Sequence, residues 1–530
     1  MEKRTIIALL LALVILFVSQ MWLAPKQPAE TQKQPETTAE QKKPEIPAAP
    51  AKAQSGETQK QTAAPQTTGI KATKEITVTT PLFTVAFSDL GGAITSVRLR
   101  DYKESVGSSK GKEIFEEILP YQYMPALVQS MDGKTATDGT RFSADKGNVT
   151  VRDRAETITF SGTLTDGRKV KKSYTFSPDS YVIGMKIDVE SAEKGQTYAD
   201  IALISLKDKP SYIFKGPFVY NGKKLEQIEK IDKDFVANKS YTYAGFDAGY
   251  FSFIWIPEGD TPSLTVTSVK GASLPVERLT LDKPQMAGKL YFGPNKIDVL
   301  KSLNVGAEKI VDFGWFDVVA KPMLWGMNYS NRVTHNYGID IILLTILIKI
   351  IFYPLSYKSY KSMKNMQKLQ PQIAKLKEKF KDEKDKLNKE LMDMYKRQGA
   401  NPLGGCLPMV IQIPVFFALY KTLMGAIEFR HAPFMLWIND LASPEDLFTF
   451  TVAGYALPIR ILPLIMGVTM VMQQKMTPTA ADPLQEKMML FMPIFFTFLF
   501  WGFPAGLVLY WLVNNVISIA QQYYINKKVA

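Results

Sequence analysis

Hydrophobic and polar positions change rhythm several times along the chain. Behind Lys3 and Arg4, Thr5 to Leu23 is an apolar run. It predicts a membrane anchor over residues 1–24 with its N-terminus in the cytoplasm. The rival is a cleaved signal peptide, whose apolar region is normally shorter. Residues 25–74 carry Pro, Gln, Ala, Thr, Lys and Glu but no aromatic residue, and predict a disordered tether. From Glu75 the period falls to two: EITVTTPLFTVAFSD, ETITFSGTL, KVKKSYTFS and YVIGMKIDVES alternate apolar and polar side chains between turn residues. GYFSFIWIPEG and GKLYFGP continue the pattern, which predicts an all-β sandwich domain over residues 75–310.

Helical spacing then takes over. Trp315, Phe316, Val319, Met323, Leu324 and Met327 recur within residues 311–337, interrupted by Pro322. This predicts an amphipathic helix on the outer face of a bilayer; a short helix packed on the β-domain is the alternative. GIDIILLTILIKIIFYPLSY, residues 338–357, is long enough to span the hydrocarbon core. Residues 358–400 are basic, with apolar sets Leu369, Ile373, Leu376, Phe380 and Leu387, Leu391, Met394. They predict a helical hairpin turning at KDEKDK and broken from the membrane helix at Pro371. Further spans are predicted at 404–424, 458–474, 488–503 and 504–525. An outer loop (425–457), a cytoplasmic loop (475–487) and a short tail (526–530) complete the chain. The expected fold is a multi-span α-helical membrane protein: six transmembrane helices, both termini cytoplasmic, and a large extracytoplasmic all-β domain. The fourth and fifth spans are short, implying tilt or a thinned bilayer. The tight WGFPAG turn predicts that the last two helices are close neighbours.

Composition narrows the chemistry. The net charge is +13, and the basic residues gather beside the spans, as the positive-inside effect requires. Nucleic acid, a ribosome and anionic lipid are the other partners such charge implies. A single cysteine, Cys406, excludes an intrachain disulfide, and two histidines, His335 and His431, supply a metal site or a His-based triad poorly. No histidine lies between Glu75 and Lys321, which disfavours a carbohydrate-converting sandwich and leaves a scaffold or docking role for the β-domain. No nucleotide-binding glycine–lysine motif is present. The reading is therefore not an enzyme: no catalytic residue, metal or cofactor is predicted.

What stands out is polarity inside the spans. Lys349 lies in the first core span with Thr345 one turn away on the same face; Gln412 lies in the next, and Asn514 and Asn515 in the last. A charged group at the bilayer centre costs roughly 2.5–3.5 kcal/mol on insertion scales. Lys349 is therefore read as lining a wet intramembrane cavity. Snorkelling over about 12 Å to the cytoplasmic surface is the competing reading, and helix–helix hydrogen bonding competes for Gln412 and the two asparagines. A solute transporter using Lys349 as counter-ion would carry internal repeats, and no convincing repeat is seen.

Lys349 before YPL, the basic hairpin, NPLGGCLP, QIPVFFALY, DP before a helix and FPAGLVLYW follow one another in an order that resembles the YidC/Oxa/Albino family of membrane protein insertases. The likeness covers about 338–525, and the anchor, tether and β-domain look like its Gram-negative form. That family implies a five-helix insertase core and a β-super-sandwich similar to sugar mutarotases. It also implies a bacterial inner-membrane location with the β-domain periplasmic. Its function is to insert, fold and assemble membrane proteins, alone or with the Sec translocon, through a hydrophilic groove with a central positive charge. Lys349 matches the charged position, commonly Arg. Thr345, Gln412, Trp511, Asn514 and Asn515 match the groove, and Ile413, Phe416 and Leu499 an apolar slide. Implied partners are nascent membrane proteins, the Sec translocon, the signal recognition pathway, lipids and the ribosome. With only NKKVA after the last span, ribosome contact is expected through the hairpin.

Overall fold

The computed structural model describes residues 75–530, apart from 116–126, 131–140, 165–166, 191–196, 203–213, 230–233, 238–239, 270–273, 282, 381–382, 399–406, 453–454, 477–482 and 529–530. The anchor and tether expected over residues 1–74 lie outside the described residues, as does Cys406.

Strand alternation builds the β-domain. Lys169–Phe176 alternates exposed and buried positions, turning Val170, Tyr174 and Phe176 inward. Nine strands form an antiparallel sheet in the spatial order Leu225–Gln227, Gly216–Tyr220, Tyr243–Asp247, Phe251–Glu258, Gln285–Pro294, Val182–Val189, Lys169–Phe176, Glu156–Thr163 and Phe142–Ala144. Two five-stranded sheets accompany it. In one, Glu75–Thr79 pairs antiparallel with Phe83–Ser88 and parallel with Val149–Thr150; the other is centred on Leu274–Leu281. Close packing forces Gly288, whose Cβ would lie 2.2 Å from the Trp255 ring. One inward position breaks the apolar pattern: Lys172 is buried, and its Nζ donates to the carbonyls of Gly91 (2.7 Å) and Gly92 (2.9 Å). Burial lowers this ammonium to about 7.

The chain leaves the sandwich at Asn295, whose Nδ2 donates to Asp247 Oδ1 and to the Gly249 carbonyl, both at 2.9 Å. Helix α1 (Ile297–Lys301) follows, then α2 (Asp317–Thr334), α3 (Tyr337–Ile351), α4 (Tyr353–Lys379), α5 (Lys384–Arg397), α6 (Leu407–Gly425), α7 (Ile461–Met476), α8 (Pro483–Phe500) and α9 (Ala505–Lys528). One apolar core runs from Tyr220, Tyr243 and Tyr291 of the sheet through Leu300 and Phe313 to the inner faces of α2, α3, α6, α7 and α9. Arg430, after α6, bridges back: its Nη2 donates to the Glu104 carbonyl (3.1 Å), and its guanidinium lies 5.4 Å from the Phe251 ring centroid.

Several boundaries differ from the sequence reading. The helix breaks at Phe352, not Pro371, and α3 and α4 meet at 65°. Continuing α3 would drive the Pro354 ring against the Ile350 carbonyl; in the first turn of a new helix the proline is harmless. Pro371 stays inside α4, flanked by Leu369 and Ile373, which pack on Leu391 and Met394 of α5. Along α2, Met323, Leu324 and Met327 turn into the protein, whereas Trp325, and Trp315 in the turn just before the helix, are 70% and 98% exposed. Helix α9 packs on α7 and α3. It packs on α8 through Trp511 against Phe496 and Phe500, so the two helices that the tight turn joins are neighbours that meet through large rings. Glycine instead brings α7 to α8, where a Cβ on Gly467 would lie 2.2 Å from the Thr497 hydroxyl. No single described helix is long and apolar enough to cross a membrane, although α3 and α4 meet that test as a bent pair.

Asp247 yields a pH prediction. Burial pushes its carboxyl from 3.8 up to about 7, against the hydrogen bonds of Gly249 N–H and Asn295 that favour its charge. The folded chain thus holds a proton that the unfolded chain has released. The associated stability is present below about pH 4 and lost as pH rises through 7. Asp247→Asn stays neutral, so its melting temperature in detergent should rise relative to the parent between pH 5 and pH 8. A constant difference would contradict this account.

Candidate functional site

The polar cluster is built from the N-terminal end of α3. Asn336 caps that helix, accepting from the Gly338 (2.9 Å) and Ile339 (3.2 Å) amides. One turn on, the buried Asp340 carboxylate accepts from Ser330 Oγ (2.6 Å), Asn331 Nδ2 (2.7 Å) and Thr334 Oγ1 (2.7 Å), all from α2. Charge-assisted bonds of this kind are about twice as strong as neutral ones, and three of them fix the height and rotation of α3. That rotation turns Thr345 and Lys349 towards α9. Thr345 is buried, and its hydroxyl donates to the Ile341 carbonyl at 2.6 Å, so it is satisfied within its own helix. Lys349 Nζ donates to Ser518 Oγ at 2.7 Å, and Ser518 donates onward to the Asn514 carbonyl at 2.7 Å.

Helix α9 carries the rest. Asn514, Ser518, Gln521 and Gln522 recur at the spacing of one helical face. Asn515 Nδ2 donates to Thr469 Oγ1 of α7 at 3.3 Å, and Gln522 Nε2 to the Met476 carbonyl at 2.8 Å. Among the described residues, Asn514 Oδ1, Gln521 Oε1, Gln522 Oε1 and Trp511 Nε1 are buried without a hydrogen-bond partner. Buried polar atoms are nearly always matched by protein or water, so four on one helix make this stretch of α9 the most polar part of the described helical core. Near the N-terminal end of α9, the Tyr510 hydroxyl accepts from Gln412 of α6.

An apolar wall adjoins this face. Trp511 lies 5.4 Å from the Phe416 ring, 6.0 Å from Phe496 and 5.2 Å from Phe500, and Leu499 packs against the same core. Ile413 is half-buried on α6. Lys349, Asn514, Asn515 and Trp511 are thus gathered on or against α9, and Gln412 meets them through Tyr510. Sequence reasoning missed Ser518, Thr469 and Asp340. The i, i+4, i+7, i+8 polar stripe from Asn514 could have exposed Ser518; nothing in the local sequence tells that Asp340 is buried. No cluster of three metal-ligating side chains occurs among the described residues.

Comparison with known proteins gives this geometry its setting. Residues 75–326 match the YidC periplasmic domain family, and residues 329–530 match the family described as 60Kd inner membrane protein. The membrane protein insertase YidC of Pelobacter propionicus is 39% identical over 558 residues, spanning 100% of both chains. That of Syntrophus aciditrophicus is 39% identical over 561 residues, again spanning 100% of both. The chain belongs to the YidC family of membrane protein insertases. A crystal structure of an active YidC insertase with its first transmembrane domain resolved shares 20% identity at a TM-score of 0.40, over 86% of this chain and 93% of that one. As a YidC-family insertase the protein is an inner-membrane protein with a periplasmic β-sandwich domain and a membrane insertase core. Its substrates are nascent membrane proteins.

Asp340→Ala would remove the carboxylate that Asn331 and Thr334 donate to, while Ser330 would keep the Met327 carbonyl as acceptor. These donors are half-buried, and a hydrogen bond to a charged group contributes about 1.5–3 kcal/mol, so the variant should melt a few degrees below the parent in detergent. Asp340→Asn, which keeps an acceptor, should recover part of the loss. Parent-like melting of the alanine variant would remove Asp340 from its role in fixing α3.

Proposed function

We propose that the protein inserts membrane spans through a polar groove centred on the Lys349 ammonium, whose walls include Thr345, Gln412, Trp511, Asn514 and Asn515. Ile413, Phe416 and Leu499 form the apolar slide beside it. The observation that carries this reading is the tie from Lys349 to Ser518, beside unpartnered polar atoms on α9. A neutral hydroxyl is a weak partner for an ammonium, and an incoming carboxylate makes the stronger, charge-assisted bond. An acidic or polar segment of a nascent chain would replace Ser518 as the partner of Lys349, which shortens its path across the membrane. Meanwhile its apolar span passes along the Phe416–Trp511 wall into lipid. Partitioning of that span supplies the driving force, helped by the membrane potential at about 2.3 kcal/mol per charge per 100 mV.

In this reading the chain crosses the membrane six times with both termini cytoplasmic, and the domain divisions expected from sequence apply. Exposed apolar side chains on α3 (Leu343, Leu347, Ile350), α7 (Leu464, Val468) and α8 (Phe491, Phe498) support a lipid-facing belt. The hairpin of α4 and α5, basic and seamed by Leu369 and Ile373, would receive substrates and touch the ribosome. Sec translocon and signal recognition partners belong to the same proposal. The solute-transporter reading finds no support in the relatives.

Charge at position 349 tests the attraction. Lys349→Glu should lower insertion of substrates with acidic external segments by about tenfold, equivalent to about 1.4 kcal/mol. Lys349→Arg should stay near the parent, and substrates with neutral external segments should be affected less. Equal insertion of acidic substrates by the Glu variant and the parent would defeat the proposal.

A further inference from the structure

Between α6 and α7 the chain forms a two-stranded antiparallel hairpin, Phe448–Val452 paired with Tyr455–Ile459. Strand alternation gives its first strand two unlike faces. Phe448 and Phe450 share one face, their rings 6.1 Å apart, and are 56% and 40% exposed. Thr449 points the other way and donates to Asp446 Oδ2 at 2.7 Å. The hairpin ends on a polar clamp. Arg460 Nε donates to the Glu445 carbonyl (3.1 Å) and its Nη1 to the Trp501 carbonyl, while the Glu445 carboxylate accepts from Trp437 Nε1 and the Leu462 amide. This ties the base of the hairpin to the start of α7 and to the outer turn between α8 and α9.

Helix α7 has a length problem. Its stretch free of charged and amide side chains runs from Ile461 to Met472, and at 1.5 Å per residue rises about 18 Å. The hydrocarbon core is about 30 Å thick. Leu464, Ile465 and Val468 are exposed along this stretch, and the hairpin leads straight into it. We propose that Phe448 and Phe450 are immersed in the acyl chains of the outer leaflet, so that the hairpin supplies the apolar height α7 lacks. Its partner is lipid. Strand pairing sets Phe448 opposite Ile459, two residues before α7 begins, and the opposite, Thr449 side meets water. A short helix extended this way meets the bilayer with less mismatch than its own length dictates. The proposal rests on membership of an inner-membrane family and not on the groove, so it can fail alone.

The test uses the full chain with its single cysteine replaced, Cys406→Ser, carrying Phe448→Cys, Thr449→Cys or Phe450→Cys one at a time. Each protein is spin-labelled and reconstituted into phosphatidylethanolamine–phosphatidylglycerol vesicles. Collision rates with oxygen, which partitions into lipid, and with a water-soluble nickel chelate are then compared. Positions 448 and 450 should favour oxygen over nickel by at least fivefold relative to position 449, which should favour nickel. Nickel access at 448 and 450 equal to that at 449 overturns the proposal. So does protection of 448 and 450 from both reagents, because that would mean a protein partner covers the face.

Discussion

An ammonium inside an apolar helix must be solvated, and in this chain Ser518 solvates it. The Lys349–Ser518 hydrogen bond, 2.7 Å long, joins the first helix of the insertase core to the last. It can form only because other contacts fix both partners. The Asp340 carboxylate sets α3 against α2, and α9 is held by α7 through Asn515–Thr469 and Gln522–Met476. Helix α9 is therefore the axis of the bundle: Ser518 meets Lys349, and about two turns nearer its N-terminus on the same side Trp511 meets Phe416, Phe496 and Phe500.

The sandwich has an apolar interior of its own, but one side of its nine-stranded sheet shares a second core with the helices. Tyr220, Tyr243 and Tyr291 of the nine-stranded sheet pack into the same apolar cluster as α2, α6 and α9, and the Tyr243 hydroxyl donates to the Gly306 carbonyl beyond α1 at 3.2 Å. Arg430 and the Asn295–Asp247 clamp add polar ties. A sandwich held this way sets the outer end of the bundle. Its own interior is costly in places: Lys172 and Glu277 are buried in it, and burial drives the Glu277 carboxyl well above its usual range.

Much of this architecture is legible in the sequence because it follows from period and composition. Alternation marked the sandwich, and polar residues in apolar runs marked Lys349, Gln412, Asn514 and Asn515. What stayed hidden depends on partners distant in the chain. Ser518 is unremarkable until Lys349, 169 residues earlier, is placed opposite it. Lys172 fills an inward strand position because the carbonyls of Gly91 and Gly92 wait there, which no local pattern records. The break at Phe352 was legible in principle: both Pro354 and Pro371 were visible, and only packing on α5 decides which of them ends a helix.

The central claim is that a polypeptide passes through the polar face between α3, α6 and α9. A photoreactive amino acid at Trp511 or at Gln412, both partly exposed, tests it most directly when stalled nascent chains of a membrane protein are present. Leu347 and Val468, exposed on the outer sides of α3 and α7, serve as lipid-facing controls. The account predicts crosslinks from Trp511 and Gln412 to the first span of the nascent chain, weakened by Lys349→Glu when that span is preceded by acidic residues. Adducts at the control positions with none at Trp511 or Gln412 would contradict it.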